Sequence, residues 1–310
     1  MERFYTFNRY LRGIFGERVQ RISLDAGFDC PNLDGTLDEN GCIYCNNKAF
    51  ARYCGYKKPL EEQISESIKF YSKKLGVKKY IAYFQSFSNT YAEVYQLRQR
   101  YEVIRKFPQI VGLSISTRPD CVDEDKLKFI SGYNKDYLVW IEYGLQTTNN
   151  YILEKINRCH TYEDFLKAYL LTRKYKINVG VHLILGLPSA TYKVMMEDAR
   201  RISELDIQGL KFHLLHVLVG SKLEELYKQK EVELMSLKEY VRLVCDFLER
   251  IPPKVAILRL VSTASRDYLL APFWMNDKVK VIEEIKKELH KRNSYQGDFC
   301  ESISCENKKR

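Results

Sequence analysis

Residues 30–45 of the chain read Cys-Pro-Asn-Leu-Asp-Gly-Thr-Leu-Asp-Glu-Asn-Gly-Cys-Ile-Tyr-Cys, and this stretch directs the assignment of the fold. It contains three cysteines, Cys30, Cys42 and Cys45, and its Gly, Asn, Asp and Pro residues predict an irregular loop. Three thiolates on one loop can bind a soft metal centre. A closed structural zinc site takes four protein ligands, whereas a [4Fe–4S] cluster on three cysteines leaves one iron open for other chemistry.

The residues alone leave the identity of the metal open. One alternative to a cluster is a zinc site in which Cys54 or a histidine supplies the fourth ligand. Three other cysteines are interpreted as small buried side chains, although the first two follow strands and have access to a cavity there: Cys121, Cys159 and Cys245. Cys300 and Cys305 lie in a polar tail, which we expect to be disordered rather than to supply further metal ligands.

The composition bounds the class of protein. Of 310 residues, 45% are hydrophobic and 29% are charged, which is typical of a globular protein. No apolar run is long enough to span a membrane, and the first ten residues lack the apolar stretch of a signal peptide. Nine cysteines, an odd number, favour a reducing compartment, so we expect a cytoplasmic protein. The formal net charge of +10 fits either a solvated basic surface or a polyanionic partner such as RNA.

Short apolar runs alternate with longer amphipathic segments, which predicts an α/β fold with a parallel sheet. The predicted strands cover residues 19–23, 80–85, 110–116, 137–142, 177–185 and 209–217. The predicted helices cover residues 60–75, 91–106, 123–130, 149–156, 162–175 and 191–205. Six such repeats indicate a partial (β/α)6 barrel rather than a closed barrel of eight.

The pattern becomes helical after residue 222, with helices predicted at 223–229, 236–250 and 279–292. Residues 254–261 are a candidate seventh strand. We therefore divide the chain into a core barrel over residues 1–222, with the metal loop at 30–45, and a mostly helical C-terminal extension over residues 223–310. A polar tail begins near residue 293 and is expected to be mobile.

Polar residues follow every predicted strand, at the barrel end where active sites lie. The residues at these positions are Cys30, Cys42, Cys45, Gln85, Ser86, Asn89, Thr117, Arg118, Asp120, Glu142, Gln146, Gly186, His213 and His216. Because His213 and His216 are three residues apart in a predicted strand, we expect only one of them to face the interior. Arg118 either binds a substrate phosphate or pairs with Asp120.

Across nearly the whole chain, short motifs resemble the radical S-adenosylmethionine superfamily, within the branch of the Elongator catalytic subunit and of YhcC/YtqA-type bacterial proteins. The motifs lie at residues 30–36, 83–90, 116–121, 142–147, 157–161, 182–188, 211–217, 269–274 and 294–297. Eleven residues separate Cys30 from Cys42, which departs from the common C-x3-C-x2-C spacing but agrees with this branch.

The resemblance implies a partial radical S-adenosylmethionine barrel with a [4Fe–4S] cluster on Cys30, Cys42 and Cys45. S-Adenosylmethionine would chelate the open iron, and its reductive cleavage would release a 5′-deoxyadenosyl radical. An aromatic residue in the position of Tyr44 usually packs near the adenine. Gln146 and Arg158 resemble the polar pair that contacts the cofactor.

Further cofactor contacts are implied for Glu142 and His182, which lie on neighbouring strands. Gln85 and Ser86, also candidate cofactor contacts, begin the stretch 85–89 that stands in place of the GGE signature of the superfamily, so recognition of the cofactor's amino group is expected to differ in detail. Arg158-Cys159-His160 replaces the Arg-Gly-His of the Elongator branch, which puts a tight-backbone role of that glycine in doubt. The candidate substrate residues are Arg118, His213, His216, Arg259 and Arg266.

The resemblance implies an enzyme that modifies the wobble uridine of tRNA, converting a 5-carboxymethylaminomethyl group on 2-thiouridine to 5-aminomethyl. It also implies an electron donor of the flavodoxin or ferredoxin type and a functional connection to a tRNA methyltransferase. Two alternatives stay open. One is a radical enzyme acting on a small metabolite or a protein, and the other is a non-catalytic metal-binding protein that binds RNA.

Overall fold

The computed structural model describes residues 2–49, 54 and 58–300, and its main feature is a curled sheet of seven parallel strands. The strands of the described chain are β1 (Val19–Leu24), β2 (Lys79–Phe84), β3 (Ile110–Thr117), β4 (Leu138–Gln146), β5 (Asn178–Leu185), β6 (Gly209–Leu214), β7 (Val217–Leu218), β8 (Ala256–Arg259) and β9 (Leu269–Ala271). The sheet order is β1-β2-β3-β4-β5-β6-β8, and β7 pairs with β9 separately. The predicted α/β partial barrel is confirmed, and the candidate segment 254–261 supplies its seventh strand as β8.

Helices follow most strands, as the alternation in the sequence predicts. They are α1 (Phe7–Phe15), α2 (Leu60–Leu75), α3 (Val94–Tyr101), α4 (Glu124–Ser131), α5 (Asn150–Lys155), α6 (Tyr162–Lys174), α7 (Tyr192–Ser203), α8 (Lys222–Lys228), α9 (Leu237–Leu248) and α10 (Lys278–Lys291). In α2, Glu61 and Glu62 occupy the first turn and two lysines the last turn, which complements the helix dipole. The helix ends at Gly76, whose φ of 64° favours glycine.

Helix α1 precedes the first strand and was not predicted. Its Phe7 packs edge to face against Trp140 of β4, with ring centroids 5.4 Å apart. Phe7 and Leu11 form a small apolar cluster with residues at the amino ends of β1, β2, β4 and β8. A parallel bridge joins Thr6 to Ile257, so α1 lies across the gap between the two edge strands. The amino end of the half-barrel is therefore filled, and its cavity lies at the carboxyl ends of the strands.

The polar tail is anchored as far as it is described, so the expectation of a mobile segment is wrong for residues 293–300. Gln296 is buried, and its amide nitrogen donates to the carbonyl oxygens of Pro252 and Val255 at 2.8 and 2.9 Å. Its amide oxygen accepts the backbone N–H of Tyr5 at 2.8 Å. The prediction for Cys305 lies outside the described residues. In the described ranges, none of the helices has the length and apolar character to cross a membrane.

Candidate active site

A cavity of about 220 Å³ opens at the carboxyl ends of the strands and brings together most of the predicted site residues. Those that line it are Cys30, Cys42, Tyr44, Cys45, Gln85, Arg118, Gln146, Arg158, His182, His213, His216 and Arg259. Three predicted residues do not line it: Ser86, Glu142 and Arg266. A larger groove of about 1110 Å³ lies outside the barrel between α7 and α9, and none of the predicted site residues lines its described part.

The cysteine loop is held in place by turns and by the segment that follows α5. The backbone N–H of Cys45 donates to the carbonyl of Cys42 at 2.9 Å, which closes a turn between the two thiols. Asn32 donates its side-chain amide to the carbonyl of Asn157 at 2.6 Å and to the sulfur of Cys42 at 3.5 Å. Asn157 donates in return to the carbonyl of Gly41 at 2.9 Å. The loop and the residues around Arg158 therefore form one unit.

The chemistry of the three thiols fits a metal cluster. The pKa of Cys45 is raised to about 12 by burial and by the negative charge that Cys42 and Cys30 would carry. Three adjacent thiolates therefore need compensating positive charge, which iron supplies. Among the described residues, no three Cys, His, Asp or Glu side chains are grouped closely enough to hold a single metal ion. Since each cysteine of a cluster binds a different iron, three ligands that do not surround one ion are compatible with a cluster.

Gln146 is aimed into the cavity by an irregularity at the end of β4. The register of β4 with β5 shifts between Gly144 and Gln146, and Gln146 has a φ of 78°. The two threonines that follow Gln146 are held by the buried carboxylate of Asp198 on α7. That carboxylate accepts the backbone N–H of Thr148 at 2.6 Å, its hydroxyl at 2.7 Å, and the hydroxyl of Thr147 at 3.0 Å.

Arg158 connects the cysteine loop to strand β4. Its Nη2 and Nε donate to the carbonyl of Gly144 at 2.7 and 3.2 Å, and its Nη1 lies 3.5 Å from the sulfur of Cys42. Although burial opposes the charge, the neighbouring Tyr44 and Cys42 raise the pKa of Arg158 above its ordinary value. Arg158 therefore lies as a fixed cation beside the thiols.

Arg118, directly after β3, supports this arrangement. Its guanidinium binds both carboxylate oxygens of Asp120 at 2.9 and 2.7 Å, and its Nη2 also donates to the carbonyl of Arg158 at 2.9 Å. Of the two alternatives for Arg118, the structure shows the pairing with Asp120. Its Nη1 is buried without a hydrogen-bond partner in the described structure.

A polar layer crosses the barrel beneath this end, and each strand of the main sheet contributes one side chain to it. Its members are Arg21, Tyr83, Ser114, Glu142, His182, Lys211 and Arg259. The carboxylate of Glu142 accepts from Arg21 at 3.0 Å, Lys211 at 3.1 Å, His182 at 2.8 Å and Ser114 at 2.6 Å. Burial alone would raise the pKa of Glu142, but Arg21 and Lys211 outweigh it and lower that pKa well below its usual range. Glu142 is thus occupied within the protein rather than open to a cofactor.

Both His213 and His216 line the cavity, so the expectation that only one faces the interior is wrong. The physical reason is that β6 ends at Leu214, and the alternation of a strand does not extend to His216. His216 donates from Nδ1 to the carbonyl of Leu214 at 2.8 Å. The Nη2 atom of Arg259 lies 2.9 and 3.0 Å from the two ring nitrogens of His213.

Two other predicted residues lie elsewhere. Arg266 is exposed on the segment before β9, and Ser86 is buried outside the cavity with its hydroxyl unpartnered in the described structure. The sequence reasoning missed Lys211, which donates to the hydroxyl of Tyr83 at 2.6 Å as well as to Glu142. A signal was present, since Lys211 is two residues before His213 and therefore lies on the same face of β6.

Comparisons with known proteins agree with this architecture. A model described as the Radical SAM superfamily matches residues 39–202, and one described as the Radical_SAM C-terminal domain matches residues 207–291. The uncharacterized protein YtqA of Bacillus subtilis is 38% identical over 303 residues, covering 97% of this chain and 94% of that protein.

Two further matches are more distant. A tRNA uridine(34) acetyltransferase of Methanocaldococcus jannaschii is 31% identical over 46% of this chain and 26% of its own length. The solved structure of archaeal Methanocaldococcus infernus Elp3, lacking residues 1–46, superposes with a TM-score of 0.62 at 18% identity. The superposition covers 93% of this chain and 65% of the Elp3 chain, and it shows that the two proteins have a similar fold.

Proposed function

The chain belongs to the radical S-adenosylmethionine superfamily, and from this premise we propose that it binds a [4Fe–4S] cluster and S-adenosylmethionine to modify tRNA. The observation that carries the proposal is the convergence of the three cysteines with Gln146 and Arg158 on one cavity. When bound, the cluster and its cofactor supply a 5′-deoxyadenosyl radical.

The residues of the cavity have distinct proposed roles. Cys30, Cys42 and Cys45 would hold the cluster. The guanidinium of Arg158 suits the carboxylate of the cofactor, and the amide of Gln146 can donate to and accept from ribose hydroxyls. The hydroxyl of Tyr44 is buried without a partner in the described structure, which fits a polar contact near the adenine. Gln85 and His182 line the same cavity, in which a bound substrate and cofactor would shield a reactive radical from water.

The proposed substrate is the wobble uridine of tRNA, on which a 5-carboxymethylaminomethyl group of 2-thiouridine would be converted to 5-aminomethyl. Support comes from the similarity to a tRNA uridine(34) acetyltransferase and from the net charge of +10, which favours a polyanionic partner. An electron donor of the flavodoxin or ferredoxin type is part of the proposal. So is a tRNA methyltransferase, because the product offers a free primary amine.

Two experiments test the proposal in sequence. Anaerobic reconstitution with iron and sulfide, followed by dithionite and S-adenosylmethionine, should yield 5′-deoxyadenosine. Cys42→Ala should lose the cluster and this product, while Cys159→Ser, which alters an exposed cysteine outside the trio, should retain both. A holo-protein that forms no 5′-deoxyadenosine would overturn the radical chemistry.

The substrate requires a separate measurement. Nucleoside mass spectrometry of tRNA from a deletion strain should show 5-carboxymethylaminomethyl-2-thiouridine accumulating and 5-aminomethyl-2-thiouridine missing. If the wobble modifications are unchanged while 5′-deoxyadenosine still forms, the enzyme acts on a small metabolite or a protein instead.

A further inference from the structure

Arg259 is a cation of the barrel interior without a carboxylate partner in the described structure. Arg21 and Lys211 each pair with Glu142, at 3.0 and 3.1 Å. Arg259 forms no ion pair among the described residues, and its hydrogen-bond contact is the ring of His213. Its Nε is buried and unpartnered. A guanidinium has five N–H donors in a planar fork, so most of the donors of Arg259 stay unused.

The charges of the polar layer do not balance. One carboxylate, Glu142, faces the three basic side chains Arg21, Lys211 and Arg259. Burial lowers the pKa of both Lys211 and Arg259, and the neighbouring cations of the layer lower it further. Even with Lys211 neutral, two arginines face one carboxylate that is already fully hydrogen-bonded. Arg259 is half-buried and lines the cavity, so an anion bound there would compensate its charge.

The surroundings of Arg259 indicate what accompanies that anion. His216 uses its Nδ1–H for the carbonyl of Leu214, so its Nε2 carries the lone pair. That Nε2 is buried and has no partner in the described structure. Burial and the charge of Arg259 lower the pKa of both His213 and His216, which favours the neutral form of each ring. The same cavity therefore offers a cation for an anion and an acceptor for an N–H group.

We propose that Arg259 binds a carboxylate of the substrate and that His216 accepts a hydrogen bond from the amine next to it. The inference rests on the proposed function, since a carboxymethylaminomethyl group carries an amine and a carboxylate one methylene apart. Arg259 would then be the residue that distinguishes the substrate from the aminomethyl product. The amino-acid end of S-adenosylmethionine has the same chemistry, so the test must separate the two sources.

The test measures binding to the reconstituted holo-protein at a fixed salt concentration. The probes are two synthetic anticodon stem–loops, which carry either 5-carboxymethylaminomethyl-2-thiouridine or 5-aminomethyl-2-thiouridine. Wild type should favour the first. Arg259→Gln should lower its affinity for the first about 10–100-fold, the range for a lost charge-assisted hydrogen bond. Affinity for the second stem–loop and for S-adenosylmethionine should stay within about twofold.

Arg259→Lys, which keeps the charge without the fork, should recover part of the preference. Arg266→Gln removes an exposed arginine outside the cavity and should behave as wild type. Should Arg259→Gln fail to take up the cluster, His216→Asn provides a second measurement and should reduce the same preference.

The possible results separate clearly. If Arg259→Gln loses affinity for S-adenosylmethionine in proportion, Arg259 serves the cofactor and the inference is overturned. If wild type binds both stem–loops equally while deletion strains still accumulate the carboxymethylaminomethyl nucleoside, only the inference fails. Unchanged wobble nucleosides in the deletion strain would instead remove the proposed function itself.

Discussion

The side chains of Gln146 and Arg158 converge over the α-carbon of Gly144. A β-carbon built there would lie 2.8 Å from Nε2 of Gln146 and 2.9 Å from Nη2 of Arg158. The two polar groups reach this point from different parts of the fold, the end of β4 and the loop after α5. The absence of a side chain at Gly144 is what lets the two polar groups meet at this point.

Gly144→Ala should therefore displace both polar groups while leaving the fold in place. We expect the affinity for S-adenosylmethionine to fall about tenfold or more. One methyl group added to a filled site displaces its neighbours, which costs ~1–3 kcal/mol. Isothermal titration of the reconstituted protein measures the change. Gly132→Ala is the control, since nothing lies within 4 Å of a β-carbon there. Equal affinities for the two variants would show that this surface does not bind the cofactor.

Arg158→Ala should separate cofactor binding from cluster binding. The three cysteines remain, so iron content and the brown absorbance should be retained. Loss of the guanidinium should weaken S-adenosylmethionine binding about 10–100-fold, the range for a lost charge-assisted contact. Arg158→Lys keeps the positive charge but not the planar guanidinium, so its affinity for S-adenosylmethionine should lie between those of wild type and Arg158→Ala. Normal cofactor affinity in Arg158→Ala would contradict the proposed role.

Most of the fold follows from the alternation of apolar runs and amphipathic segments, because strands buried on both faces are short and apolar. The predicted helix at 60–75 matches α2 to the residue, and its charged ends and terminal glycine explain why. Helix α1 escaped prediction because it precedes the first strand and belongs to no βα repeat. Its role is visible only in three dimensions, where Phe7 meets Trp140 at the amino end of the half-barrel.

The site was predictable in position and less so in detail. Because parallel strands end at one edge, residues after each strand were expected to meet, and Gln85, Gln146 and His213 do line one cavity. What a residue pairs with depends on strands distant in sequence. Glu142 follows the same pattern, yet Arg21 and Lys211 bind it from β1 and β6. Such buried ion pairs between distant strands leave no local signal in the sequence.

Glu142→Gln should destabilise the half-barrel strongly. The amide cannot compensate the charges of Arg21 and Lys211, and removing one member of a buried ionic group costs about 3–5 kcal/mol. Urea unfolding of the apo-protein measures the loss. Glu204→Gln is the matched control, because Glu204 pairs with Arg200 on the surface, where such pairs contribute about 1 kcal/mol or less. Similar losses for both variants would contradict the importance of the buried network.

Stability should also decline in mild acid because two buried histidines resist protonation. Burial, together with the charges of Arg158 and Arg118, lowers the pKa of His160 to about 2. Burial and the charge of Lys211 lower the pKa of His182 to about 3. The unfolded chain takes up these protons below its ordinary pKa of about 6.5, whereas the folded protein does not. The two histidines therefore have little effect on the free energy of unfolding above about pH 6.5. Below that pH they lower it progressively as the pH falls towards 3.

His160→Gln removes one of these two groups and tests the sign of the effect. Between about pH 6 and pH 4, each group changes the free energy of unfolding by up to ~1.4 kcal/mol per pH unit. We therefore expect the wild type to lose stability more steeply than His160→Gln, by about 2 kcal/mol at pH 5 relative to neutral pH. Urea unfolding of the apo-proteins near both pH values gives the two slopes. Parallel slopes would mean that His160 titrates in the folded protein as it does in the unfolded chain.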